Sequence, residues 1–105
     1  MKSIVTKYIK YCAFCGKPTE AEHHLIFGRG MRELAEEDGL KLPACNSCHN
    51  MGTKLERIHE NSMAEKLSKM LGQLAWEKEY YKSLTDEEDD IAREAFQKRY
   101  KRSYL

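Results

Sequence analysis

Four cysteines in two pairs, Cys12-x-x-Cys15 and Cys45-x-x-Cys48, constrain this chain more than any other feature. Two sulfurs separated by two residues reach one tetrahedral Zn²⁺ from a tight turn, and two such turns complete its shell. Gly16, directly after the second thiol, permits the positive φ that such turns often need. A disulfide framework is the weaker reading, because a cytosolic chain keeps its thiols reduced. A thioredoxin-like redox pair would need an alternating βαβ context, which the sequence lacks. The spacing therefore predicts a structural zinc on Cys12, Cys15, Cys45 and Cys48. Length makes such a staple useful. A chain of 105 residues has room for one domain that buries roughly two-thirds of its unfolded surface.

Apolar residues make up 41% and charged residues 33% of the chain, a globular rather than a disordered composition. No apolar run approaches the roughly 20 residues needed to cross a bilayer. The first fifteen residues show no long apolar stretch followed by a small-residue cleavage site, so neither a signal peptide nor a membrane anchor is expected, and the cytoplasm is the expected location. Net charge is +1, and the two parts of the chain are balanced, with nine basic and eight acidic groups in 1–60 and nine of each in 61–105. Nucleic-acid binding would have to come from local patches.

The pattern predicts an α+β, mostly α, single domain over 1–105. Residues 3–11 are rich in β-branched and aromatic side chains and lead into the first knuckle. Residues 20–28 read as a short strand ending at Gly28. Residues 29–38 are highly charged and suit a short helix stopped by Gly39. Leu40-Lys41-Leu42 reads as a returning strand before Pro43. From about residue 60 the period becomes helical. Met63, Leu67, Met70, Leu71, Leu74 and Tyr81 share one stripe, expected to face the core along with Trp76. Thr85 and Glu88 fit a capping box for a second helix, with Asp86–Asp90 at its positive end and Lys98–Arg102 at its negative end. Ile91, Ala95, Phe96 and Tyr100 form its expected buried face. Residues 62–105 thus read as a helical hairpin behind a zinc-bearing unit at 12–61.

The four histidines, His23, His24, His49 and His59, all lie between the first knuckle and the first long helix. Adjacent side chains of a strand point to opposite faces, so His23 and His24 cannot both fill one core face. A lone histidine is most simply a surface residue. Four in one zinc-organised region suggest more. A neutral imidazole ligates a divalent ion, and a second one, with an ordinary pKa of about 6.5, can take a proton from water. Metal-assisted phosphodiester hydrolysis requires that pairing.

Glu22-His23-His24-Leu25-Ile26 and Leu42-Pro43-Ala44-Cys45-Asn46-Ser47-Cys48-His49-Asn50 together resemble the HNH (His-Me finger) endonuclease motif, most closely that of small phage and prophage recombination-associated members. The resemblance covers residues 12–61. It implies a ββα-metal unit, in which a helix packs beneath a two-stranded hairpin and a catalytic divalent ion such as Mg²⁺ or Mn²⁺ sits between them. By position, His24 matches the general base because an aliphatic residue follows it. His23 and His49 match metal ligands, and His59 is a further ligand if a break at Gly52 lets it return. The family's middle asparagine, which braces the loop carrying the base, would fall near Gly39-Leu40-Lys41 and has no counterpart. The implied partner is DNA, with a recombination or packaging protein as a further partner and a bacterial host cell as the setting of a phage-encoded chain.

Arg29, Lys54 and Arg57 flank the motif and are candidate phosphate contacts, as is Arg32, although a solvated charged face explains them equally well. The basic cluster at 98–102 is explained by its helix end alone. Glu22 reads as an exposed carboxylate. Two rival readings stand beside the nuclease. One is a non-catalytic zinc-bound module that binds DNA or protein. The other is an adaptor whose helical hairpin docks on a partner, for which an exposed apolar stripe on the 63–81 helix would be the sign.

Overall fold

The computed structural model describes residues 1–82 and 91–105. The expected capping box of Thr85 and Glu88 lies outside the described residues. Elements run in the order β1 (Ala21–His24), α1 (Met31–Asp38), β2 (Lys41–Ala44), a single π-helical turn (Ser47–Met51), α2 (Ser62–Tyr81) and α3 (Ile91–Tyr100). The result is a small α+β fold with a two-stranded sheet and a C-terminal helical pair. No helix among the described residues is long and apolar enough to cross a membrane.

β1 and β2 pair antiparallel, with His23 opposite Leu42 and His24 opposite Lys41. β1 is shorter than the predicted 20–28, whereas β2 starts one residue later than predicted and runs through Pro43 rather than stopping before it. Proline is tolerated because a two-stranded sheet is all edge. Its carbonyl accepts from Ala13 N at 2.9 Å, and Ala44 O accepts from Glu20 N at 3.0 Å. These two bonds seat the first knuckle against the strand that leads into the second. α1 links the strands and ends at Gly39, whose N–H turns back to the Ala35 and Glu36 carbonyls.

Leu25, Ile26, Ala35, Leu40, Leu42, Phe96 and Tyr100 form the main core, with Trp76 packed against it. α3 buries Phe96 and Tyr100 as expected but presents Ala92 as its other buried residue, whereas Ile91 and Ala95 are only half-buried. The larger correction concerns α2. Most of its apolar stripe does not face the core: Met63 is 66% exposed, Leu67 54%, Leu71 41% and Leu74 53%, while Met70 and Tyr81 are half-buried. The helix instead buries Ser68, Gly72, Gln73 and Glu77. Gly72 explains this choice of face. A Cβ there would lie 2.8 Å from Ile26 Cγ1 and 3.1 Å from Leu25 Cβ, so only glycine lets α2 approach the end of β1 this closely.

The helix implied beneath the hairpin is reduced to the π turn at Ser47–Met51. Gly52 leaves it in an extended conformation (φ −78°, ψ −172°). The chain then returns, with Ile58 N donating to Cys48 O at 2.8 Å and His59 N to His49 O at 3.1 Å.

Candidate metal centres

The first centre is the cysteine cluster. The Sγ atoms of Cys12, Cys15, Cys45 and Cys48 all lie within 4.8 Å of one another, and all four thiols are free. Cys15 and Cys45 Sγ are 3.6 Å apart. Two sulfurs on one tetrahedral zinc, each about 2.3 Å from it, would be about 3.8 Å apart. The Phe14 N–H donates to Cys12 Sγ and the Cys48 N–H to Cys45 Sγ, each at 3.4 Å, while Gly16 takes the left-handed conformation (φ 81°) that closes the first turn. Burial opposes ionisation of Cys12, but backbone N–H groups of Cys45, Phe14 and Cys15 outweigh it and bring the thiol down to about 6. Burial and the neighbouring thiols push Cys48 well up. Four crowded sulfurs thus resist ionising together unless a cation sits among them, and the set can hold a structural metal such as zinc.

The second centre joins His23, His49 and His59, each offering a ring nitrogen within 4.8 Å of the others. Three separate pieces of chain supply them: β1, the π turn that also carries Cys48, and the returning loop before α2. His49 and His59 Nε2 lie 3.2 Å apart. Two nitrogens each about 2.0–2.1 Å from one tetrahedral ion would be about 3.3 Å apart. The His23 ring stands edge-on to both, at centroid distances of 5.3 Å to His49 and 5.2 Å to His59. Its Nδ1 is buried without a hydrogen-bond partner. A buried ring nitrogen with no partner is what a ligand atom looks like before its ion is added. Burial, then the nearby His59, His49 and His24, depresses His23 to about 3, so the ring stays neutral and ligand-competent. Burial and His59 also depress His49.

Surrounding groups steady this set. Glu65 Oε2 stands 3.5 Å from His59 Nδ1, the carboxylate placement that orients ligating histidines. Phe27 packs edge-on against His59 at 4.7 Å, and Lys69 Nζ lies over the Phe27 ring, 4.7 Å from its centroid. Ser68 touches His23 from below, its Oγ 2.8 Å from Nε2.

His24 points elsewhere, as strand alternation requires. It is buried, and its Nε2 lies 2.8 Å from Glu36 Oε1 on α1. Lys41 Nζ bridges the same carboxylate at 2.9 Å and Glu22 at 2.8 Å. Lys41, then His24, holds the Glu36 carboxyl down at about 2. His24 nevertheless lies near enough to the triad to contribute to the depression of His49, and so does Arg32 of α1.

The basic candidates divide. Arg29 and Lys54 are exposed. Arg57 is turned into its own loop: Nε donates to His59 O at 2.9 Å, Nη1 to Gly52 O at 3.3 Å, and Nη2 pairs with Glu60 at 3.1 Å. The structure thus places the Arg57 guanidinium on the returning loop, which it helps to hold. Arg99 of the basic cluster likewise pairs with Asp38 and Glu37.

Glu36, Glu65 and Ser68 escape sequence reasoning as site residues. Each is an ordinary polar residue of a helix, and only the packing of that helix aims it at a histidine. No family model, curated protein or solved structure matches the chain.

Proposed function

We propose that the chain is a metal-dependent endonuclease of the HNH type that hydrolyses DNA phosphodiester bonds. The observation that carries this reading is the convergence of His23, His49 and His59, with an unpartnered Nδ1 on His23; the next residue of β1, His24, is held by a carboxylate. Three protein ligands leave coordination positions for water and substrate, which distinguishes a catalytic from a closed structural site. The four cysteines, with zinc, serve as scaffold.

In this reading the chain's residues divide the work. His24 donates from Nε2 to Glu36, which leaves Nδ1 with the lone pair that takes a proton from the attacking water. Glu36 fills the orienting role for which the family's asparagine has no counterpart here. His23, His49 and His59 hold a divalent ion such as Mg²⁺ or Mn²⁺. The chemistry such an ion supplies is stabilisation of the charge that builds on the phosphate and the leaving oxygen. Arg32 offers a cation for the phosphate beside the site, and exposed Arg29 and Lys54 offer contacts farther along a backbone.

The test is nicking of supercoiled plasmid and cutting of single-stranded DNA by wild type and His24→Ala, each with Mg²⁺, Mn²⁺ or EDTA. Metal-dependent cleavage that falls at least about 100-fold in His24→Ala, with helicity and zinc content unchanged, supports the reading. Well-folded wild type that cuts neither substrate with any metal overturns it in favour of a zinc-bound binding module. The exposed stripe on α2 is the specific observation favouring that second reading, in its adaptor form.

A further inference from the structure

His23 has two ring nitrogens, and its two neutral tautomers offer different ones to an ion. The structure assigns Ser68 as the positioning residue that decides between them: its hydroxyl holds His23 in the Nε2–H form, keeping Nδ1 bare for a metal shared with His49 and His59. The inference rests on the imidazole centre proposed above and deepens it, since it names what makes that centre competent.

A serine hydroxyl carries one proton, and here its destination is determined. Ser68 Oγ lies 2.7 Å from the Leu25 carbonyl oxygen, which can only accept. The Ser68 proton therefore belongs to that bond. The Ser68 oxygen then faces His23 Nε2, 2.8 Å away, with lone pairs only. Two acceptors at that distance would repel, so Nε2 must carry the imidazole proton. The remaining nitrogen, Nδ1, is the buried atom that no group in the described chain satisfies. The relay from Leu25 O through Ser68 to His23 thus fixes both the tautomer and the rotation of the ring.

The relay is built into the fold at three points. Ser68 is buried on α2, with 7% exposure. Gly72, one turn later, is the contact that lets α2 close onto Leu25 and Ile26. Leu25 directly follows β1, and its N–H bonds Leu40 O at 2.8 Å, so the accepting carbonyl sits on a pinned peptide. A serine in mid-helix that bonds outward to another element, not back to its own turn, is spent on a tertiary task.

The experiment uses the full chain loaded with one equivalent of zinc, which the thiols take first. Long-range ¹H–¹⁵N spectra at neutral pH read the His23 tautomer directly, and the proposal expects Nε2–H with Nδ1 bare. An Nδ1–H signal in wild type overturns it. Zinc affinity of the second site is then measured by chelator competition in wild type and Ser68→Ala. The expected result is a loss of about 10- to 100-fold, with mixed tautomers at His23 and the first zinc retained. Equal affinity and an unchanged tautomer in folded Ser68→Ala overturn the proposal while leaving the metal centre standing. Wild type that binds no second ion overturns the metal centre as well, so the two failures are distinguishable. Should Ser68→Ala not fold, the wild-type tautomer still decides.

Discussion

Glu36 is the residue on which the electrostatics of the hairpin turn. One carboxylate accepts from buried Lys41 and stands against buried His24. Its folded pKa of about 2 lies below the ordinary value of 4.5. Between those values the unfolded chain binds the extra proton, so stability rises with pH across that window. The contribution is complete above about 4.5 and is lost as pH falls through about 2. Glu36→Gln should therefore flatten the acid limb of the stability profile between pH 2 and 4.5, read as the urea midpoint at each pH. An acid limb identical to that of wild type would contradict the assignment. Sequence reading reaches His23 and His24 because neighbouring residues of a strand must diverge. It does not reach Glu36, which lies twelve residues on in a stretch that reads as solvated charge.

At the scale of elements, α2 separates what hydropathy can see from what it cannot. The 3.6-residue period correctly predicts a helix from about residue 60, and the helix begins at Ser62. The same period picks the wrong face for burial, because close approach of a helix to a strand end selects small residues, which leave no hydropathy signal. Gly72 reads as a helix defect worth about 1 kcal/mol against Ala, yet it is the contact point. Two substitutions test this with opposite signs to the periodicity argument. Leu67→Gln, on the exposed stripe, should change stability by no more than about 0.5 kcal/mol. Gly72→Ala should destabilise by about 1–3 kcal/mol through overpacking against Ile26 and Leu25, despite the better helix propensity. Urea titrations of the two variants check both, and a severe loss at Leu67 would show that the stripe is core after all. The knuckles, in contrast, are fully legible, because two cysteines three residues apart carry their geometry with them. The return of His59 is legible only through Gly52, which breaks the helix that would otherwise carry the chain away.

Across the whole molecule, Asp38 clasps the C-terminal helices to the hairpin unit. Its Oδ2 accepts from Trp76 Nε1 at 3.0 Å, Arg99 Nε at 2.7 Å and the Tyr100 hydroxyl at 2.7 Å. One side chain at the end of α1 thereby holds α2 and α3. Burial, then the Asp38 carboxylate, pushes the Tyr100 phenol well above its usual range, so it remains a donor. Asp38→Ala strands three donors around a partly buried site and should cost about 2–4 kcal/mol, measured by urea unfolding. An effect under about 0.5 kcal/mol would show that the clasp is incidental. The cysteine cluster joins the Cys12–Cys15 turn to the turn that follows β2. With zinc bound there, its removal by a chelator should unfold that part first, seen as loss of amide protection in residues 10–20 and 43–50 before α2 and α3.

In the proposed reading the fold offers two different metal centres, one of sulfur ligands and one of imidazoles. Titration of the metal-free chain with Co²⁺ tests it most directly, because sulfur and nitrogen ligands give different spectra. The first equivalent should bring intense thiolate-to-metal charge transfer. The second should add only weaker visible bands, and His49→Ala should abolish the second step while leaving the first intact. Saturation at a single equivalent in wild type, with the spectrum of His49→Ala unchanged from it, would rule out the imidazole centre.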